Sequence, residues 1–141
     1  MKELRVKFLS HTAKMPVRAH EWDAGLDIHA DEDALVQTVG CTIVHTGVAV
    51  EIEPGYVGLV MGRSSMAKAG VHTYPGVIDS GFVGNIRVGL QSLSGEPYQV
   101  KRGDRIAQLL IVPICLPIAV ETDDLVQWGT RGEGALGSTG K

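Results

Sequence analysis

Apolar and polar residues alternate with a period of two along much of this chain. Leu4, Val6 and Phe8 alternate with Arg5 and Lys7; Val48, Val50 and Ile52 alternate with Ala49 and Glu51; Ile86, Val88 and Leu90 alternate with Arg87, Gly89 and Gln91. This period predicts strands with one face buried. Residues 106–112 are nearly all apolar, which predicts a strand covered on both faces. Glu53-Pro54-Gly55, Ser94-Gly95-Glu96-Pro97 and Arg102-Gly103-Asp104 supply turn chemistry between the runs. Many short strands separated by such turns predict an all-β sandwich, jelly roll or barrel. A single short helix is expected, with Ser64 as its cap, 65–69 as its body and Gly70 as its end.

Composition narrows the functional classes. At 141 residues the chain is one domain by size, and a unit this small gains from burying a face against copies of itself. The formal net charge is −3 with no concentrated basic patch, which argues against a duplex-binding surface and direct nucleic-acid binding. A phosphate site needs only a few local donors and stays open. No leader peptide is recognised at the amino terminus. The longest apolar stretch, 106–118, is broken by Gln108 and two prolines and is too short for a membrane span. Cys41 and Cys115 lie apart within apolar segments and are expected to be buried free thiols, which fits a cytoplasmic protein.

Four internal segments carry candidate chemistry. In Gly62-Arg63-Ser64-Ser65-Met66-Ala67 an arginine and two hydroxyls meet a helix start. Such a segment binds an anion or is simply a capped surface helix. In 76–85 three glycines frame Asp79 and Phe82, a pattern for a β-hairpin whose backbone approaches a ligand. Asp79, at a strand end, is either a turn residue or a base that orients water. In 103–109 Gln108 interrupts an apolar strand and needs partners, structural or ligand. In Ala24-Gly25-Leu26-Asp27-Ile28 a carboxylate sits between apolar neighbours, either as a buried structural group or as an outer-sphere metal contact. The five histidines show no metal-ligand spacing, and phosphate-loop, dinucleotide and Cys-x-x-Cys motifs are absent.

The last thirteen residues, 129–141, contain five glycines and one sizeable apolar side chain, Leu136. They cannot bury enough surface to offset ordering entropy. A floppy tail is one reading. A lid that orders over a ligand is the other, and Arg131, Ser138 and Thr139 give it phosphate-binding chemistry.

Taken in order, these segments resemble the five motifs of the homotrimeric dUTP diphosphatases, from Ala24-Gly25-Leu26-Asp27 to Gly137-Ser138-Thr139-Gly140. The resemblance implies a distorted jelly roll spanning 1–128, a lid at 129–141, and a trimer with shared active sites. It implies cleavage of dUTP to dUMP and pyrophosphate, which limits uracil in DNA and supplies dUMP for dTMP synthesis. Asp79 would position the water that attacks the α-phosphorus. Arg63, Ser64, Ser65 and Gln108 would hold the phosphates. The hairpin through Gly76, Val77, Ile78, Asn85, Ile86 and Arg87 would read uracil and exclude thymine's methyl group, with Phe82 beneath the deoxyribose. From the tail, Arg131, Gly137, Ser138 and Thr139 would reach phosphates, and Leu136 would cover the base. Mg²⁺ would be held mainly by the triphosphate, with Asp27 touching it through water at most.

The chain departs from the family pattern in places. Phe82 replaces a usual tyrosine, Leu136 a common aromatic, Ala135 a glycine and Gly62 a common proline. Two rivals remain. The dCTP deaminases share the fold but carry a catalytic glutamate where this chain aligns Gly89. A nucleotide-binding regulator without turnover would not need Asp79, Gln108 and Arg131 together.

Overall fold

A computed structural model describes residues 3–126 and 128. Among them the chain forms eleven strands and one helix: β1 (Arg5–Phe8), β2 (Leu26–His29), β3 (Ala34–Val36), β4 (Thr42–His45), β5 (Val48–Glu51), β6 (Tyr56–Met61), α1 (Ser64–Lys68), β7 (Val71–Tyr74), β8 (Gly76–Ile78), β9 (Arg87–Ser92), β10 (Tyr98–Val100) and β11 (Arg105–Pro113). They make four antiparallel sheets, ordered β1-β5, β10-β3, β2-β11-β6-β8 and β4-β9-β7. The result is a jelly-roll-like arrangement in which the sheets of the described residues do not close into a barrel.

The core forms where the period-two faces meet. Ile28, Val36, Val44, Val48, Val88, Leu90, Val100, Ile106 and Leu109 are all buried, as is Ile86 just ahead of β9. Truncating one of them, Leu109 for instance, to alanine would cost about 2–5 kcal/mol through the cavity left behind. The turns at 53–55, 94–97 and 102–104 each hold a glycine at positive φ, as the sequence predicted.

Several expectations need correction. β11 is buried at Ile106, Ala107 and Leu109, but Leu110, Ile111 and Val112 are only half-buried, so the apolar run is not covered on both faces along its length. Leu4 and Val6 are half-buried against the core as the alternation predicted, but Phe8 at the end of β1 is exposed. Cys41 and Cys115 are exposed thiols. Apolar neighbours in sequence did not imply burial for either, and Cys115 sits on a segment that has left the sheets. Helix α1 starts one residue earlier than the hydroxyl pattern suggested: Arg63 occupies the N-cap position (φ −100°, ψ 146°), no side chain caps it, and Ser64 is the first helical residue.

Residues 114–126 belong to no strand or helix. The last described backbone tie is Ile114 N–H to Gly55 C=O at 2.9 Å. Leu116, Ile118, Val120, Leu125 and Val126 are all exposed beyond that point.

Candidate active site

The register of β2, β11 and β6 determines which side chains meet. Arg105 of β11 faces His29 of β2, then the pairing shifts, so that Ala107 faces Ile28 and Gln108 faces Asp27. Such a bulge re-aims the strand. Here Ile106 and Ala107 are both buried while Arg105 and Gln108 reach the surface side. Gln108 also faces Met61 of β6. Directly opposed residues share one face of a sheet. Asp27, Gln108 and the exit of β6 into Gly62 and Arg63 are therefore brought side by side.

Asp27 organises this face. Its Oδ1 accepts from Arg63 Nε at 2.7 Å, and its Oδ2 accepts from Arg63 Nη2 at 3.3 Å and Arg105 Nη1 at 3.1 Å. Arg63 Nη1 donates to Ser65 Oγ at 2.9 Å and to the Arg105 carbonyl at 3.2 Å. The Arg63 and Asp27 side chains are only 18% and 12% exposed, so this fork is held where screening is weak. Gln108 Nε2 donates to the Gly62 carbonyl at 2.8 Å, tying β11 to the segment that carries Arg63. Gly25 makes room for this amide: a Cβ there would lie 2.4 Å from Gln108 Oε1.

Two hollows flank the start of α1. One of about 320 Å³ is lined by Gly25, Asp27, Arg63, Ser64 and Gln108, with His20 and Asp23 on its rim. The other, of about 430 Å³, lies across Arg63 and Ser64 against Val71, Thr73 and Leu93. Buried Thr73 Oγ1 has no hydrogen-bond partner among the described residues. Behind the ion-paired cluster, burial pushes the His29 imidazole below its ordinary pKa. The charges of Lys14, Arg105 and Arg63 add to that effect, and only Asp27 opposes it.

The remaining candidate residues form a second region. β8 pairs with β6, so that Gly58 faces Ile78 and Val60 faces Gly76, whereas β9 pairs with β4 and β7. The segment 76–87 is therefore not the β-hairpin the sequence predicted: β8 and β9 join different sheets, and the chain between them crosses from one to the other. Asp79 follows at the end of β8, exposed, and its carbonyl accepts from Phe82 N–H at 3.1 Å. The Phe82 ring packs over Gly84, where a Cβ would meet its Cζ at 2.7 Å, and the side chain remains 42% exposed. Val77 and Val83 are also exposed. Asn85 is engaged within the chain: its Oδ1 accepts from Gly47 N–H at 3.1 Å, and its Nδ2 lies 3.1 Å from His45 Nδ1. Ile86 is fully buried, and Arg87, exposed, faces His45 across β9 and β4.

The structure thus brings Asp27, Arg63, Ser64, Ser65 and Gln108 together, and separately Gly76, Val77, Ile78, Asp79, Phe82, Asn85, Ile86 and Arg87. It does not unite the two groups within one chain. Counted along β6, Asp79 lies level with Val57 and Arg63 lies about six residues on, roughly 20 Å at the rise of a strand. Arg131, Leu136, Gly137, Ser138 and Thr139 lie outside the described residues. The sequence pattern does not single out Arg105, which the structure shows to be the second cation on Asp27. Only the bulge, which no residue type announces, turns it toward that carboxylate.

Among the described residues no three His, Cys, Asp or Glu side chains converge on a common point, and both oxygens of Asp27 face guanidinium groups. This donor set does not make a protein-held cation site.

Comparison with known proteins fixes the family. The dUTPase family profile matches residues 11–140. The deoxyuridine 5′-triphosphate nucleotidohydrolase of Mycobacterium sp. (strain JLS) is 41% identical, over 97% of this chain and 94% of that protein. A mutant dUTPase of Staphylococcus bacteriophage 80alpha, solved with dUpNHpp, superposes with a TM-score of 0.94 at 31% identity, each chain covered fully. The dUTPase of phage phi11 of S. aureus, a mutant of which revealed the coordination of a structural Mg(II) ion, superposes with a TM-score of 0.84 at 29% identity over 89% of this chain and all of that one. With four of the five ordered motifs lying in these two groups of described residues, and the profile and relatives matching nearly the whole length, the chain belongs to the dUTPase family.

Proposed function

We propose that this dUTPase-family chain hydrolyses dUTP to dUMP and pyrophosphate through two groups of residues supplied by different copies of itself. In this reading Arg63, Ser64, Ser65 and Gln108 of one subunit hold the phosphates. The segment 76–87 of a neighbour brings uracil recognition, the Phe82 ring beneath the deoxyribose, and Asp79. Asp79 orients a water and takes its proton as the water oxygen bonds to the α-phosphorus, and pyrophosphate departs. Cleavage of this kind asks the protein mainly for positioning and charge neutralisation. Asp27 contributes by aiming the Arg63 fork. Mg²⁺ enters with the triphosphate, which coordinates it, and meets Asp27 through water at most.

The observation that carries the reading is the separation of Asp79 from Arg63. A triphosphate gripped at Arg63 cannot present its α-phosphorus to the Asp79 of the same chain, while each group is exposed and complete in itself. A second copy resolves this, and a closed ring of three satisfies every copy alike. The exposed apolar arm 114–126 supports assembly, since a row of uncovered large side chains is a surface that seeks a partner. The segment 129–141, as a lid, supplies Arg131, Gly137, Ser138 and Thr139 to the phosphates and Leu136 to the base. This part of the proposal rests on composition and motif order alone. Deleting 129–141 is expected to lower kcat severely and weaken binding less.

Deamination finds no support. The position that would carry the deaminase glutamate is Gly89, which has no side chain to move a proton, and a Cβ there would have to push aside Cys41 Sγ at 2.7 Å. Pyrophosphate release measured with dUTP, dCTP, dTTP and UTP tests the reading. Release is expected with dUTP and Mg²⁺ and very little with the others; equal turnover of all four would overturn the specificity.

A further inference from the structure

Resting on the reading of 76–87 as the base-recognition segment, we infer that His45 is a positioning residue for uracil, acting through Asn85. The segment rejoins the body of the protein at Asn85 and Ile86. There the backbone is tied to the turn between β4 and β5. Ile86 N–H donates to Val48 C=O at 2.9 Å, and the Ile86 carbonyl accepts from both Thr46 N–H at 3.2 Å and Thr46 Oγ1 at 2.7 Å. Thr46 is buried. These bonds fix one side of the segment's end.

The Asn85 side chain fixes the other. Its Oδ1 accepts from Gly47 N–H at 3.1 Å; Thr46 Oγ1 lies 3.4 Å away, its single proton directed to the Ile86 carbonyl. Flipping the amide would turn its NH₂ against the Gly47 N–H, so the orientation is set by the backbone. The NH₂ then points to an acceptor, His45 Nδ1, 3.1 Å away. With Nδ1 accepting, the ring proton sits on Nε2. His45 is itself held, its N–H by Glu32 Oε1 at 2.8 Å and its carbonyl by Asp31 N–H at 2.8 Å. The chain of contacts runs from a braced strand, through one imidazole nitrogen and one amide, to the end of the segment that tells uracil from thymine. Neither side chain needs to touch the nucleotide.

Kinetics of H45L, H45N, N85L and the H45L/N85L double variant on dUTP and dTTP test this, with melting temperatures as a folding control. H45L loses the acceptor and is expected to raise KM for dUTP about three- to tenfold, the worth of one hydrogen bond, with kcat nearly unchanged. Its ratio of kcat/KM for dUTP over dTTP should fall. H45N, whose Oδ1 replaces the accepting nitrogen, is expected to restore both values. The double variant should be no worse than N85L, because the two residues act in series. H45L behaving like wild type while N85L is impaired would overturn the role of His45 and leave the base-recognition reading intact. An unchanged dUTP/dTTP ratio in well-folded N85L would overturn both. Should N85L fail to fold, the H45L and H45N pair decides: equal defects in the two would mean that the imidazole acts only by its bulk.

Discussion

The two halves of the proposed site are built by different means. Around Asp27 the work is done by charged side chains. One nearly buried carboxylate holds two guanidinium groups, and three strands and a helix start are cross-braced by bonds of 2.7–3.3 Å. In the segment 76–87 Phe82, Val77 and Val83 are exposed while Ile78 and Ile86 are buried. Asp79 stands free at a strand end, and Asn85 is engaged below. One half presents a charge held rigidly in advance; the other presents backbone and a single carboxylate. Phosphate recognition calls for fixed cations, whereas reading the edge of a base calls for a backbone of defined width. Mutations should therefore act differently in the two halves, through chemistry in one and through shape in the other.

The largest effect is expected at Asp79. Replacing it with Asn should lower kcat by roughly 10²-fold or more while a non-hydrolysable dUTP analogue still binds, as for loss of a general base. Near-normal kcat would assign that role elsewhere. In the charged half, Asp27→Asn removes the counter-charge from Arg63 and Arg105. It should lower kcat/KM by about 10-fold or more and also reduce the melting temperature, since a partly buried cation loses its partner. A loss of activity without loss of stability would show that Asp27 does more than aim Arg63. A smaller change is expected for Gly25→Ala, whose Cβ displaces the Gln108 amide from Gly62. KM should rise by about three- to tenfold, the equivalent of one hydrogen bond, with the melting curve little altered.

The smallest effects concern pH. His29 has its pKa lowered in the folded state, by burial first and by neighbouring cations second. The unfolded chain therefore binds the proton more tightly. This contribution to stability is complete above the ordinary value of 6.5 and is lost as pH falls below it toward the lowered folded value. His29→Gln should flatten that part of a stability-versus-pH curve. Asp31 has the same sign of pH dependence for a different reason. Burial acts to raise its pKa, but hydrogen bonds from Ser10 and Thr12, with the charges of Arg102 and His11, bring it below 3.8. Its contribution is present above 3.8 and disappears only as pH falls through the lowered folded value. Thr12→Ala, which removes the 2.6 Å bond to Asp31 Oδ1, should shift the acid limb upward.

The charged half was more legible in the sequence than its geometry was. Arg63, Gln108 and Asp27 stand out because such residue types seldom interrupt apolar strands without a partner. That Asp27 and Arg63 are partners, and that Arg105 joins them, depends on a register shift of one residue between β2 and β11, which local pattern does not encode. The segment 76–87 was legible through its glycines and through Asp79 at a strand end, but not its course: β8 and β9 join different sheets instead of pairing as a hairpin, because their partners β6, β4 and β7 are set by tertiary packing. The bond from Asn85 to His45 spans 40 residues of sequence and was invisible. Alternation placed β5 and β9 correctly because both of them line the core, and it placed Leu4 and Val6 against that core as well. It misjudged Phe8 and the cysteines, which no second layer covers. The separation of Asp79 from Arg63 followed only from the ladder between β6 and β8, and it is the ground for proposing that a site needs two copies.

That insufficiency is tested most directly by co-expressing two inactive chains, one D79N and one R63A, and assaying dUTP hydrolysis in the mixed assembly. If each site takes Arg63 from one subunit and Asp79 from another, random mixing at equal amounts leaves about a quarter of the sites with both residues intact. Activity should then reach about a quarter of the wild-type level, although neither parent turns over. Activity no greater than the sum of the two parents, in assemblies shown to contain both chains, would place Asp79 and Arg63 in the same subunit's site and contradict the account.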